Sequence, residues 1–289
     1  MLPPFAAAPR RPGASRTLRP SWFPFPRVPA FLAPAVLAPG FLASAFLAPE
    51  ARAQDPGARA SDTPAAIVGH VDELFRGASS QGRVTMEVVT ERWTRSMEME
   101  MWSLGQAYSL VRVLSPSREA GTATLKVERD IWNYLPRVDR TIKVPGGGMG
   151  GSWMGSHFTY DDLVRESHLV DDYEIEVSFE GEREGTSLWE FTLTPLPEAP
   201  VVWGRLELEV RKEDRIPLEM RYFDERGDLA RTMTFTDVRT LDGRRVPTRL
   251  SMHPEDRPGE RTTLRYEDLR FDVGLEADFF SLQRLRTGR

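Results

Sequence analysis

The feature that most constrains this chain is the two-residue alternation of apolar and charged side chains between Arg83 and Leu285. Met86 and Val88, then Met97, Met99 and Met101, alternate with Glu87, Glu98 and Glu100; further on, Leu206, Leu208 and Val210 alternate with Glu207, Glu209 and Arg211. A period of two belongs to a strand, and one greasy face against one charged face belongs to antiparallel strands with a single buried side. About ten or eleven such runs follow one another, from Val84–Thr94 to Arg261–Phe271. Turn chemistry separates them: hairpin links at Asp224–Asp228 and Leu241–Arg244, loops at Ser115-Pro116 and Arg257-Pro258-Gly259. Consecutive strands usually pair, so the runs predict one meander, and twist curls so many strands toward a barrel or half-barrel. The expected class is mainly β, a strongly curved antiparallel sheet forming an incomplete barrel covered by short helices.

The first 53 residues are of another kind. They hold six arginines, one acid and 11 of the 23 prolines, followed by an apolar run and Ala51-Arg52-Ala53. A basic start, an apolar stretch and an Ala-x-Ala site are the three parts of a secretory signal, so residues 1–53 read as a cleaved signal peptide and 54–60 as a linker to a single domain over 61–289. The alternative is a membrane anchor; Pro29, Pro34 and Pro39 interrupt the run, which falls short of the ~20 residues a spanning helix needs. Residues 54–289 then carry 32 basic against 42 acidic side chains, a formal charge of −10. That balance argues against nucleic acid as a partner. The chain has no cysteine, which excludes disulfides, thiolate metal sites, a thiol nucleophile and a lipid-modified anchor. The expected location is the periplasm, and the expected state a soluble monomer.

Two segments look helical. Ser61-Asp62-Thr63-Pro64 is a helix start, after which Ile67, Val71, Leu74 and Phe75 recur at the helical period with His70, Asp72, Glu73 and Arg76 facing elsewhere, up to Gly77. The second, Phe158–Glu166, is capped by Ser156 or Thr159. Two short pieces are little cover for the concave side of a large sheet, which leaves two readings open: side chains fill the interior, or surplus apolar surface lines a ligand cavity. Methionines on the inner face suit a surface that accepts flexible chains, although a methionine stripe is also ordinary core.

Within the series of strands lies an aromatic pair, Trp132–Val144 broken at Pro136, and then a glycine-rich link, Gly146–Gly151, into Trp153, Met154 and Phe158. The glycine run lacks the endings of a phosphate cradle and reads as a hinge or a plain surface loop. Trp132-x-Tyr134-x-Pro136, Arg140 and Trp153-Met154-Gly155-Ser156-x-Phe158-x-Tyr160-x-Asp162-Leu163 together resemble the bacterial outer membrane lipoprotein-sorting family, the LolA-like group. The likeness continues in Ile216-Pro217-Leu218, Tyr222-Phe223-Asp224 with Gly227, Asp242–Pro247 and Phe279-Phe280-Ser281, and covers nearly all of the chain after Ala60. One departure is His157, where members often carry an acidic residue. The resemblance implies an incomplete β-barrel closed by helices, whose hydrophobic cavity shelters acyl chains in transfer across the periplasm toward the outer membrane.

The expected cavity and flap residues are Trp132, Tyr134, Trp153, Met154, Phe158, Tyr160, Met97, Met99 and Met101. Arg129 and Arg140 are the expected polar rim, since an arginine beside Trp132 and Tyr134 can stack on a ring or grip an anionic head group; cross-strand pairing with glutamates is the other reading. His157, Asp161, Asp162 and His168 form no legible catalytic constellation and read as helix caps and solvated histidines, so the chain is not expected to be an enzyme. No cofactor or metal is expected; the expected partners are lipid or lipoprotein acyl chains and an inner-membrane transporter. The alternative function is a non-transporting accessory of an inner-membrane exporter of the RND type.

Overall fold

The computed structural model describes residues 63–165, 169–199 and 201–288. The expected signal peptide and linker, Ser61, Asp62, Glu166 and His168 therefore lie outside the described residues. Among the described residues, no helix is long and apolar enough to cross a membrane.

Among the described residues, thirteen strands form one antiparallel sheet: β1 (Ser79–Val89), β2 (Thr94–Leu104), β3 (Tyr108–Ser115), β4 (Ala123–Val127), β5 (Asp130–Leu135), β6 (Arg140–Lys143), β7 (Tyr173–Arg183), β8 (Thr186–Pro195), β9 (Arg205–Arg211), β10 (Pro217–Phe223), β11 (Leu229–Leu241), β12 (Arg244–Pro254) and β13 (Arg261–Phe271). Their order is β6-β5-β4-β3-β2-β1-β13-β12-β11-β10-β9-β8-β7, so the sheet is not closed and β6 and β7 are its two edges. This is the expected mainly β class, with a difference in connectivity. The meander is made of two halves that meet where the first strand pairs with the last, and the chain passes from one edge to the other between residues 144 and 172. The glycine-rich link is thus the start of a strap between two sheet edges.

Strand count and borders differ from expectation at identifiable places. Leu135 ends β5, and the turn Pro136–Val138 with left-handed Asp139 (φ 46°) splits the aromatic pair into β5 and β6. β1 starts at Ser79, five residues before the expected Val84, because Ser80 and Ser103 are buried and bond each other through their hydroxyls at 2.7 Å. Polar residues satisfied in this way are invisible to a hydrophobic pattern.

Register places the inner face. Met86 faces Met97, Val84 faces Met99 and Gly82 faces Met101 across β1 and β2, while Met220 faces Met233 across β10 and β11. Gly82 sits beside the register shift between Arg83 and Val84, and a Cβ there would lie 2.5 Å from the Asp268 carbonyl oxygen. Gly82→Ala is therefore expected to cost about 1–3 kcal/mol through backbone displacement. Gly146→Ala, with nothing within 4 Å of its Cβ, should stay within about 0.5 kcal/mol of the parent in the same urea melts. Equal stability of the two variants would contradict the close approach.

Helix α1 (Pro64–Glu73) starts as expected: Thr63 Oγ1 accepts from the Ala66 amide at 3.2 Å and Pro64 opens the first turn. It ends at Glu73 rather than continuing to Arg76, and Asp72 is buried instead of facing solvent, since its Oδ2 accepts from the Leu169 amide at 3.1 Å. Ile67, Val68 and Val71 press onto the inner face of the sheet.

The outer face is not charged throughout, as simple alternation predicts. Over β2–β5 it is instead a second core, where Leu110, Leu125, Trp102 and Trp132 lie under Phe279, Phe280 and Leu285. The cover is a short helix (Leu282–Thr287), capped at its start by Ser281 Oγ and at its end by Arg112 Nη2, which donates to the carbonyls of Arg284 (2.7 Å) and Leu285 (3.1 Å). This piece of helical cover is absent from the expectation, because a six-residue helix offers too few turns to show a period.

Candidate functional site

The inner face, α1 and the strap bound a partly open cavity of about 180 Å³. Val84, Met99, Met101 and Val111 line it from one half of the sheet; Met220, Met233, Phe235, Leu250, Leu264 and Tyr266 line it from the other. Val71 and Phe75 of the α1 segment and Trp153, Phe158 and Leu169 of the strap complete the apolar wall, with Phe75 stacked on Tyr266 at a ring distance of 4.9 Å. The interior is thus neither filled throughout nor widely open. At 180 Å³ it is somewhat larger than the ~150 Å³ apolar void known to take a benzene-sized guest.

Charged groups also reach it: Asp72, Arg76, Lys126 and Asp162. Lys126 is 3% exposed, and its Nζ donates to the Gln106 carbonyl at 2.7 Å. Burial, and then the nearby Arg76 charge, lower its pKa from the ordinary 10.5 to about 7. The hydrophobic pattern gives no sign of this residue. In β4, Leu125 faces Leu110 and Trp132, so apolar side chains go to the outer core and the polar ones, Thr124 and Lys126, turn inward.

The strap is fastened to both halves of the sheet. Trp153 Nε1 donates to Thr124 Oγ1 (3.1 Å), the Thr124 hydroxyl donates to Asn133 Oδ1 (2.8 Å), and Asn133 Nδ2 donates to the Tyr160 hydroxyl (2.8 Å). On the other half, Arg231 grips both oxygens of Asp162, with Nη1 to Oδ2 at 2.9 Å, and also donates to the His157 carbonyl at 3.1 Å. Asp162 in turn belongs to α2 (Tyr160–Arg165), where its Oδ2 accepts from the Thr159 amide (2.7 Å) and Thr159 Oγ1 accepts from the Asp162 amide (3.2 Å). This reciprocal pair is the cap expected of Thr159. His157 is not solvated as expected: its side chain is 5% exposed, with Nδ1 2.8 Å from Thr262 Oγ1 and Nε2 3.1 Å from Glu260 Oε2. The imidazole contact holds the Glu260 carboxyl below its usual range. Asp161 is buried and His157 precedes α2, so the two do not share a helix face.

Of the residues expected at the site, Met99, Met101, Trp153 and Phe158 line the cavity. Met97 is buried in the same core, and Met154 and Tyr160 pack against it, but none of the three lines the cavity. Trp132 and Tyr134 point the other way, into the outer core, because residues paired with Leu125 and Ala123 share that face. The cation over Trp132 is Lys143, 5.3 Å from the ring, and the Tyr134 hydroxyl donates to Asp139. Arg129 is exposed at the β4–β5 turn and Arg140 is exposed on edge strand β6; neither lines the cavity. The cationic groups that do line it are Lys126 and Arg76.

A comparison with curated proteins finds no match. Solved structures share the architecture: a domain from Vibrio parahaemolyticus described as an outer membrane lipoprotein-sorting protein domain is 23% identical, with a TM-score of 0.68 over 77% of this chain and 98% of that one. A DUF1329 family protein from Desulfovibrio piger is 21% identical, with a TM-score of 0.70 over 77% and 97%. A LolA superfamily protein from Nitrosomonas europaea is 22% identical, with a TM-score of 0.66 over 76% and 98%. At such identities the likeness is one of fold. A family model described as "-like: Uncharacterized protein" matches residues 105–287. Because that model spans more than half of the chain, the chain belongs to its family, and the fold it carries is that of the LolA-like outer membrane lipoprotein-sorting group.

Proposed function

We propose that this protein is an exported, periplasmic carrier that shelters acyl chains of a lipid or lipoprotein in the cavity beneath the strap and hands them on toward the outer membrane. The observation that carries the reading is the apolar cavity itself, walled by Met99, Met101, Met220 and Met233 and covered by a strap held to both halves of the sheet. Acyl chains gain roughly 0.8 kcal/mol per methylene on leaving water, so transfer between two dry sites needs no cofactor and no catalysis. A cavity of 180 Å³ holds one short segment of chain, and a multi-chain lipoprotein anchor requires the strap or a wall to move.

Native mass spectrometry of the secreted protein tests this. Acyl mass is expected on the parent, and Leu264→Trp, which fills the cavity from β13, is expected to lose most of it while keeping the parent circular dichroism. A parent that is empty and takes up no acyl chain overturns the reading; if that empty protein also co-purifies with an inner-membrane exporter, the accessory role takes its place.

A further inference from the structure

We propose that the β5–β6 hairpin is a docking surface for a membrane that bears anionic phospholipid, with Val138 and its apolar neighbours entering the head-group layer and Arg137 and Arg140 meeting lipid phosphates. This goes beyond the carrier reading and uses a part of the molecule outside the cavity.

The hairpin is apolar where the fold leaves it uncovered. Leu135, Val138 and Ile142 are 38%, 60% and 43% exposed, three of the nine large hydrophobic side chains that are exposed among the described residues. Register puts two of them on one side. Leu135 pairs with Arg140 and Asn133 with Ile142, so these four share a face, and Asn133 marks it as the side of the strap by donating to the Tyr160 hydroxyl. Val138 stands at the tip, where left-handed Asp139 turns the chain. The opposite side is already occupied: Trp132 and Tyr134 lie in the outer core, and Thr141 Oγ1 accepts from Arg286 Nε at 3.2 Å.

The free charge beside these side chains is positive. Arg137 and Arg140 are exposed, and among the described residues neither forms an ion pair. The one acid between positions 135 and 142, Asp139, accepts from the Tyr134 hydroxyl of the outer core at 3.1 Å. Elsewhere the sheet matches its arginines with acids, as where Arg183 and Arg221 meet Glu190, Glu207 and Glu209. Over residues 54–289, which hold 32 basic and 42 acidic side chains, the hairpin tip is thus a local reversal of sign.

Apolar side chains interleaved with arginines fit an interface in which an apolar layer lies just beneath a layer of phosphates. Arginine takes a phosphate in a two-toothed fork, and its stem lies along apolar surface. Strand β6 offers only four residues of free backbone edge, little for an added strand to pair with, so side chains carry the contact. In this pose the strap that covers the cavity lies next to the bilayer.

Flotation of the secreted protein with vesicles tests this. Binding to vesicles of phosphatidylcholine mixed with phosphatidylglycerol is expected to be at least about tenfold tighter than to phosphatidylcholine alone, the opposite of what a formal charge of −10 favours. Arg137→Gln with Arg140→Gln should weaken binding to the mixed vesicles about thirtyfold, at about fivefold for each cation. Arg226→Gln with Arg239→Gln, the same change of charge at exposed sites elsewhere, should stay within about twofold. Because the chain has no cysteine, a polarity-sensitive fluorophore on Val138→Cys reports the tip alone. It should shift to the blue on the mixed vesicles, and the same label on Arg226→Cys should not. No binding, equal binding to both vesicle types, equal losses in the two double variants or an unshifted Val138→Cys label overturns the docking surface. A dimer in sedimentation that Arg137→Gln with Arg140→Gln abolishes also overturns it, because the surface then belongs to a second copy. None of these measurements needs a guest in the cavity, so the outcome is separate from that of the carrier reading.

Discussion

Arg231→Met is expected to lower the thermal midpoint by about 6–20 °C, from a loss of roughly 3–5 kcal/mol at roughly 2–4 °C per kcal/mol for a domain of this size. Arg231 is 5% exposed and Asp162 4%, so the variant leaves a carboxylate in a nearly dry site without its fork of donors. The guanidinium also lies over the rings of Tyr222 (4.3 Å) and Trp203 (4.4 Å) and donates to the His157 carbonyl. One side chain thus gathers β10, β11 and the strap. Faster hydrogen exchange between residues 145 and 162 should accompany the drop, because this anchor holds that segment to the β11 side of the sheet. Arg231→Met combined with Asp162→Leu should recover part of the loss, since removing both charges leaves neither one stranded. Arg183→Met makes a fair contrast. Its side chain is 43% exposed and pairs with Glu190 and Glu209 on the outer face, where solvent screening leaves such pairs little effect on stability. An Arg231→Met protein as stable as Arg183→Met would mean that the buried anchor contributes no more than a surface pair.

The sheet is legible in the sequence because its inner side chains and its turns obey simple periods. Met86, Val88, Met97 and Met99 fall where alternation puts them, and left-handed Asp242 and Gly243 close the β11–β12 link that Asp-Gly announces. The strap is legible as a break in that period, and Trp153 and Phe158 reach the inner face, as their size, apolarity and position outside any strand predict. Alternation fixes relative faces but not which face is inside. In β2–β5 both sides are covered, so the aromatic character of Trp132 and Tyr134 suits either side, and they belong under Phe279 and Phe280 rather than in the cavity. The polar side of the site is harder still. Lys126, Asp72, His157 and Arg231 are buried in partnerships that span 20 to 105 positions of sequence, distances over which no local pattern operates.

The same inverted strand leads to the second large effect, a pH-dependent penalty at Lys126. In the unfolded chain this ammonium keeps its proton up to about 10.5, whereas in the folded protein it begins to lose it near 7. Between those values the unfolded state binds more protons, so this group's contribution to stability rises with pH. Below 7 both states are protonated and the penalty is present in full, on the order of a few kcal/mol. Asp72, Arg76, Asp162, Tyr108 and Tyr266 also line the cavity, so the comparison has to isolate Lys126 from them. Urea melts of the parent and of Lys126→Met at pH about 6 and about 9 do so. The substituted side chain has no charge to bury, and the variant is expected to be the more stable protein at the lower pH, with its advantage shrinking as the parent's ammonium deprotonates. A difference that does not change with pH, or a variant less stable at both, would show that the frame depends on this charge.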